Sequence, residues 1–266
     1  MRIGLLSDVH ANLPALRAAI ARLRGEGVDA FLCAGDLVGY GPHPDECVET
    51  IAELGATCVA GNHDLMLVGA LPDARAGRLA RRTLAWTREV VRPDVRAHLA
   101  ALPRTASVAG VDLAHGSPVD PQEYVRSEAR AAELLAGLPP GRVLVLGHTH
   151  HPWLYGARTL FPSPGAAPGS AEFALPRHER QLVNPGSVGQ SRERERVPLA
   201  RFALLDLDHA RVRFFAEPYD AAATRAALRA RRLPPDALHV RPGPVATAAR
   251  RARRLLHAIR VRPRPG

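Results

Sequence analysis

Four short clusters of polar residues, each at the end of an apolar run, carry the side chains best suited to chemistry. The clusters are Asp8-Val9-His10, Gly35-Asp36, Gly61-Asn62-His63-Asp64 and Gly147-His148-Thr149-His150, and a lone His115 lies between the last two. The apolar runs before them, residues 3–6, 30–33, 58–60 and 143–146, are rich in aliphatic residues and do not alternate with polar residues, which is typical of buried parallel strands. Because ligands of open α/β sheets bind at the carboxyl ends of strands, these side chains are expected to converge.

Two of the clusters repeat one spacing of potential metal ligands. Asp8 and His10 are two residues apart, so an extended backbone would place both side chains on one face. His148 and His150 have the same spacing. The repeated pattern predicts two ligand pairs that point into one site from different strands.

Three further residues complete a mixed set of metal donors. Asp36 can bridge two ions through its two oxygens, Asn62 offers an amide oxygen, and His115 offers an imidazole. Such a set favours Mn, Fe or Zn over Mg or Ca, which prefer oxygen alone. Two divalent cations against the carboxylates of Asp8 and Asp36 leave a charge of about +2, which suits hydroxide and phosphate. Two metals roughly 3.5–4 Å apart form the clamp used for in-line displacement at phosphorus.

Taken in order, these clusters resemble those of the calcineurin-like metallophosphoesterases. The stretches Gly-Asp-Leu-Val-Gly-Tyr-Gly-Pro (35–42) and Asn-Pro-Gly-Ser-Val-Gly-Gln (184–190) resemble its small bacterial branch, which includes phosphodiesterases and diadenosine-tetraphosphatase-like proteins. The resemblance runs from Met1 to about Asp220. It implies an α/β fold of two mixed β-sheets packed face to face with helices outside, a four-layer sandwich with the metal site at the C-terminal ends of strands.

The resemblance also implies roles for individual residues. Two divalent transition-metal ions are expected, with Mn²⁺ first and Fe, Zn, Ni or Co as alternatives. Their ligands would be Asp8, His10, Asp36 and His150 for one ion, and Asp36, Asn62, His115 and His148 for the other. His63 would face the phosphate and the leaving group. Gly39 stands where phosphoprotein phosphatases have a second acid that supports this histidine, so a Ser/Thr protein phosphatase is disfavoured and the support of His63 is left open.

The expected activity is hydrolysis of a small phosphodiester or a nucleotide phosphoanhydride. A metal-bridging hydroxide would attack phosphorus while His63 assists the leaving group. A phosphomonoesterase is the alternative enzyme. A catalytically weak metal-binding scaffold of the same fold is the alternative from another class, and the intact clusters speak against it.

The chain is expected to divide into two parts. Residues 1–220 form the metallophosphoesterase domain, in which 65–104 read as a helical cap region beside the site. Residues 161–176 are rich in Pro and Gly and are predicted to be a loop insertion that either gates the pocket or has no role. Residues 221–266 form an Arg-rich helical extension. Asn12 is expected to cap the first helix, with contact to the substrate from the loop beside the metals as the alternative.

Composition limits the cellular setting. Within the 266 residues no apolar run approaches the roughly 18–20 residues of a membrane span, and the start of the chain does not read as a leader. Cys33, Cys47 and Cys58 are an odd number without metal-type spacing, which indicates reduced thiols in a cytoplasmic protein. The expected partner is a small phosphorylated substrate, without a membrane, and the oligomeric state is not predicted.

The net charge of +10 belongs to the C-terminal extension. All 36 basic residues are Arg, and 12 of them lie in residues 221–266 against one acid, Asp236. Such a segment is either a solvated tail or one that attracts nucleic acid or another polyanion weakly. The alternating Arg and Glu of residues 192–196 are typical of a solvated face, although Arg192 can reach a phosphate.

Overall fold

Two mixed β-sheets pack face to face in the computed structural model, which describes residues 1–156, 168–193 and 197–238. The first sheet has six strands in the order β3 (Thr57–Cys58), β2 (Ala30–Cys33), β1 (Arg2–Leu6), β10 (Leu199–Asp206), β11 (Arg211–Pro218) and β8 (Gly169–Ala174). Strands β1, β2 and β3 are parallel, and β10 is antiparallel to β1. The predicted parallel strands therefore lie at one side of this sheet.

The second sheet has five strands. Their order is β4 (Thr105–Val108), β5 (Val111–Ala114), β6 (Val143–Val145), β9 (Gln181–Asn184) and β7 (Trp153–Tyr155). Strands β5, β6 and β9 are parallel, while β4 and β7 are antiparallel edge strands. The parallel strands of the two sheets end on the same side of the molecule, where the polar clusters follow.

Helices cover the outer faces of both sheets. They are α1 (Leu13–Gly25), α2 (Pro44–Glu53), α3 (Asn62–Val68), α4 (Arg78–Val90), α5 (Pro93–Ala101), α6 (Glu128–Ala136) and α7 (Ala221–Ala230). Leu16 and Ile20 of α1 pack with Phe202 on the outer face of the first sheet. Leu135 of α6 packs with Leu144 on the outer face of the second sheet. The predicted four-layer architecture is thus confirmed.

The core between the sheets is aliphatic and fully buried. One buried cluster there contains Ile3 and Leu5 of β1, Val143 and Val145 of β6, and Phe214 of β11. Burying one such side chain stabilises the fold by about 1.5–3 kcal/mol. This rigid interior fixes the strand ends, so the loops that carry the polar clusters start from defined positions.

Part of the predicted loop insertion 161–176 is a strand. Gly169–Ala174 forms β8, which pairs antiparallel with β11, and residues 161–167 lie outside the described residues. Glu172 bonds to Arg211 at 2.9 Å and to Arg213 at 2.7 Å across this edge. Cross-strand ion pairs of this kind favour an exposed edge strand whose composition gives little apolar signal.

The C-terminal extension begins inside the domain. The side chain of Asp220 caps α7 by accepting a hydrogen bond from the backbone N–H of Ala223 at 2.9 Å. Leu228 and Leu233, with a short 3₁₀-helix at Pro235–Leu238, pack around Tyr40. Residues 221–238 are therefore continuous with the packing of the first 220. The rest of the predicted Arg-rich helical extension, residues 239–266, lies outside the described residues, and its attraction to polyanions stays a prediction.

Asn12 precedes α1 but its side chain does not cap the helix. Its amide donates to the carbonyl of Gly189 at 2.9 Å and to the hydroxyl of Tyr219 at 3.1 Å, and its oxygen accepts from Thr224 at 2.9 Å. The predicted cap was wrong because three distant segments compete for this buried side chain. In the part of the chain that is described, no helix has the length and apolar character needed to cross a membrane.

Candidate metal centre

Backbone hydrogen bonds join the loops that follow β1 and β2. The backbone N–H groups of Asp8 and His10 donate to the carbonyls of Gly35 and Asp36 at 3.0 and 2.9 Å. From the second sheet's side, the N–H of Gly189 donates to the carbonyl of Asp8 at 3.0 Å. The polar clusters therefore lie on a backbone framework that both sheets hold in place.

The backbone at the clusters is left-handed rather than extended. The φ angles of Asp8 and His10 are 52° and 48°, and those of Asp36, His148 and His150 are 56°, 64° and 63°. An extended backbone at Asp8 and His10 was therefore the wrong geometry, although both side chains do enter the same site. Residues other than Gly in this region cost of order 1–3 kcal/mol each, and such strain gathers at functional sites. The surrounding hydrogen bonds hold the chain in this conformation.

One group of side chains joins the ends of β1, β2 and β6. The Nε2 atoms of His10 and His150 are 3.1 Å apart, and Oδ1 of Asp8 lies 3.3 Å from Nε2 of His150. Oδ2 of Asp36 lies 3.7 Å from Nε2 of His10. Asp8, His10 and His150 are buried and close enough to share one ion.

A second group shares Asp36 with the first. Oδ2 of Asp36 lies 3.3 Å from Nε2 of His115, and that nitrogen lies 3.0 Å from Oδ1 of Asn62. His148 belongs to this second group, because its ligand atom and those of Asp36 and His115 lie within 4.8 Å of one another. One carboxylate oxygen of Asp36 therefore faces both groups, and its other oxygen accepts the N–H of His63 at 2.8 Å.

Backbone carbonyls orient three of the imidazoles. Nδ1 of His10 lies 3.1 Å from the carbonyl of Val38, and Nδ1 of His115 lies 2.6 Å from that of Ala34. His150 makes the same contact at 2.6 Å to Gln190. Because a carbonyl can only accept, each of these Nδ1 atoms carries a proton. The rings of His10 and His150 then present a lone pair at Nε2 to the site. Nε2 of His115 instead faces the oxygens of Asp36 and Asn62, which can only accept, so it becomes a metal donor by losing its proton.

Burial and nearby charges set the protonation of the ligand candidates. It lowers the pKa of His148 to about 3 and that of His10 well below 6.5, so both imidazoles are neutral at pH 7. It raises the pKa of Asp8 to about 7, against the pull of the charge on His115. Burial acts to lower the pKa of His115, but the Asp36 carboxylate outweighs it and raises the value to about 10. The buried carboxylates therefore favour a cation beside them. His10 and His148 stay neutral, and only His115 is held in its protonated form.

His63 lies against the first group, and one of its ring nitrogens lies within 4.8 Å of ligand atoms of His10 and Asp36. Its ring centroid is 4.9 Å from that of His10 and 4.8 Å from that of Tyr40. Its Nδ1 is buried and has no hydrogen-bond partner, and it faces the backbone of Gly39. The ring is therefore oriented by packing, which answers what supports His63 in place of an acid.

Gly39 supports His63 by having no side chain. Its φ is +88°, and a Cβ built there would overlap Nδ1 of His63. Gly39→Ala is expected to lower the free energy of unfolding by more than about 2 kcal/mol and to reduce kcat by at least tenfold. The matched control is Gly110→Ala in the β4–β5 turn, where φ is +87° and a Cβ meets open space. Thermal unfolding and kcat check this; equal effects at both glycines would contradict it.

The cleft over these groups is walled by residues that the sequence did not single out. Arg75 and Gln122 line it together with Tyr124, whose ring centroid lies 4.1 Å from that of His148. Arg192, which the sequence did single out, also lines it. The available signal for the missed residues was position: Gln122 and Tyr124 follow the strand end at His115 by fewer than ten residues, and Arg75 lies in the predicted cap region.

Comparisons with known proteins cover most of the chain. The sequence model of the calcineurin-like phosphoesterase superfamily domain matches residues 1–210. The crystal structure of a metallophosphoesterase from Sphaerobacter thermophilus is 32% identical with a TM-score of 0.77, over 90% of this chain and 97% of that one. The hypothetical protein PH1004 from Pyrococcus horikoshii OT3 has the same fold, at 22% identity and a TM-score of 0.71 over the same shares. The uncharacterized protein MJ0912 from Methanocaldococcus jannaschii is 28% identical over 230 residues, 82% of this chain and 88% of its own.

Proposed function

Because the chain belongs to the calcineurin-like phosphoesterase superfamily, we propose that it is a metal-dependent phosphohydrolase acting on a small phosphodiester or a nucleotide phosphoanhydride. The observation that carries the proposal is the shared oxygen of Asp36, which faces a ligand group on either side. A carboxylate in that position suits two ions placed side by side. The cleft above it is lined by His63 and Arg192, which can donate to a phosphate group.

The donor atoms fit divalent cations. Oδ1 of Asp8 and Nε2 of His148 are buried without a hydrogen-bond partner. The Nε2 lone pairs of His10 and His150 face each other at 3.1 Å, an arrangement that a cation between or beside them stabilises. Mixed imidazole, carboxylate and amide donors suit Mn²⁺, Fe²⁺ or Zn²⁺, with Ni²⁺ and Co²⁺ as further candidates.

Each ion takes its ligands from both sheets. The proposed sets are Asp8, His10, Asp36 and His150 for one ion, and Asp36, Asn62, His115 and His148 for the other. When bound, the two ions supply an activated water and neutralise charge on the phosphoryl oxygens. The chain itself fixes the imidazole tautomers through the carbonyls of Val38, Ala34 and Gln190.

His63 serves the leaving group in this proposal. Burial lowers its pKa below 6.5, so the neutral ring presents Nε2 to the cleft as a hydrogen-bond donor when Nδ1 carries the lone pair. Tyr40 and Gly39 hold the ring in this position. His63 then donates a hydrogen bond from Nε2 to the oxygen that departs as the phosphorus–oxygen bond breaks, and it keeps its proton.

A substrate panel with defined metals tests the proposal. The purified protein is expected to bind two transition-metal ions per chain, to lose turnover on chelation, and to regain it with Mn²⁺ better than with Mg²⁺. The panel compares bis-p-nitrophenyl phosphate, p-nitrophenyl phosphate, cyclic nucleotides and dinucleoside polyphosphates. Full metal content without turnover on any of them would favour the scaffold alternative. Turnover that survives complete removal of metal would contradict the proposed chemistry.

A further inference from the structure

Two arginines, Arg75 and Arg192, line the metal cleft, and a third, Arg126, packs on the ring of Tyr124, which also lines it. Arg75 bonds to Asp120 at 3.0 Å and to the carbonyl of Gln122 at 3.3 Å. The guanidinium carbon of Arg126 lies 4.3 Å from the centroid of the Tyr124 ring. Arg75 and Arg126 are therefore both engaged by groups of the protein.

Arg192 is different. It is partly buried and lines the cleft with His63, His148 and His150, yet among the described residues it makes no hydrogen bond or ion pair. The neighbouring acid, Glu193, bonds instead to Nδ1 of His151 at 2.6 Å. A guanidinium left without a carboxylate beside a ligand cluster has an unmet preference for an anion.

The charge of Arg192 is felt across the site. After burial, it is the largest cause that lowers the pKa of His150, and it also lowers the pKa of His63 and His148. Since it stands beside groups that are proposed to hold cations, its favourable partner is an anion that enters the cleft.

A charge count identifies the kind of anion. With two divalent ions, the carboxylates of Asp8 and Asp36 leave about +2, and Arg192 raises this to about +3. Asp64 is turned to the backbone, where it accepts the N–H groups of Gly61 and Val38 at 2.9 and 3.2 Å. A hydroxide nucleophile lowers the sum to about +2. A monoanionic diester then leaves about one positive charge uncompensated, whereas a dianionic phosphoryl group neutralises the cleft.

We propose that Arg192 binds the non-bridging oxygens of the substrate's phosphoryl group and selects a group that carries two negative charges. The proposal rests on the proposed function and narrows its substrate class. A guanidinium matches two phosphate oxygens with parallel N–H groups, which an ammonium cannot do. The terminal phosphate of a nucleotide anhydride and a phosphate monoester share this chemistry. A simple diester does not.

Kinetics with matched substrates test this selection. At about pH 8, p-nitrophenyl phosphate is a dianion and bis-p-nitrophenyl phosphate a monoanion. Arg192→Ala is expected to lower kcat/KM for the dianion about ten- to a hundredfold and for the diester less than about threefold. Arg192→Lys is expected to recover part of the loss. The control is Arg24→Ala, which removes an exposed charge on α1 and is expected to change neither value.

Binding of inorganic phosphate gives a readout that is independent of turnover. Isothermal titration is expected to show a Kd at least tenfold higher for Arg192→Ala than for the wild type, with equal metal content. An equal loss on both substrates, or an unchanged phosphate Kd, would overturn the proposal. If the wild type turns over no substrate but Arg192→Ala still weakens phosphate binding, the proposed function fails and the anion site stands. ATP and a nucleoside monophosphate then distinguish anhydride from monoester as the better substrate.

Discussion

Replacing Asp36 with asparagine is expected to remove both metal ions and to lower kcat by more than about 10³-fold. One oxygen of its carboxylate faces His10 at 3.7 Å and His115 at 3.3 Å, so the two ligand groups depend on the same atom. The amide keeps the shape of the side chain but loses the negative charge that holds two cations side by side. Elemental analysis of the purified variant and its kcat measure the effect.

Asp8→Asn is the matched comparison, because it makes the same chemical change in one group only. Oδ1 of Asp8 faces His150 at 3.3 Å and His10 at 3.8 Å. This variant is expected to keep the ion at His115 and His148 and to lose the other. If Asp36→Asn retains two ions with kcat within tenfold of wild type, the carboxylate is not a bridge. If both variants lose the same single ion, the two groups are not independent sites.

The convergence of these residues could be predicted because strand ends are defined by simple patterns. Aliphatic runs of three or four residues followed by Asp, Asn or His predict buried strands whose loops meet at one edge. The runs at 30–33 and 143–146 match β2 and β6 to within one residue. The motif order then supplied the family, which the match over residues 1–210 shows.

The backbone conformation of the clusters could not be read from spacing. A separation of two residues fits an extended strand, yet Asp8 and His10 have positive φ because their loop is bonded to that of Gly35 and Asp36. That bonding joins residues far apart in sequence. Asn12 shows the same limit: its local environment predicts a cap, while Gly189, Tyr219 and Thr224 provide stronger partners from distant segments.

Some residues that line the cleft could not be predicted from the sequence, for a related reason. Gln122 and Tyr124 lie in a loop without regular structure, and Arg75 precedes α4, so no periodic pattern marks them. Their positions depend on contacts such as the bond of Arg75 to Asp120. Motifs report residues that take part in shared chemistry, whereas residues that shape a pocket carry no common signature.

His63 offers a test that separates chemistry from metal assembly. It follows the ligand candidate Asn62, and its N–H donates to Asp36, but its ring packs against Tyr40 and Gly39. If Nε2 of His63 donates to the departing oxygen, the contribution of His63 to kcat depends on how poor that leaving group is. Assistance to a leaving oxygen by a positioned donor is typically worth about 10²–10⁴-fold where it is needed, and a neutral imidazole provides it as a hydrogen bond. A p-nitrophenolate departs readily without such assistance, and a ribose alkoxide does not.

His63→Ala is therefore expected to keep both metals, to lose less than about tenfold on p-nitrophenyl esters, and to lose about 10²-fold on nucleotide esters. The loss is placed at the lower end of the range because no carboxylate holds Nδ1, which packs against Gly39 without a hydrogen bond. Metal content and kcat for both substrate types are the measurements, with the exposed His178→Ala as control. Equal losses on both substrates with both ions retained would mean that His63 stabilises charge at phosphorus instead. Loss of an ion would make His63 a ligand, as its proximity to His10 and Asp36 permits.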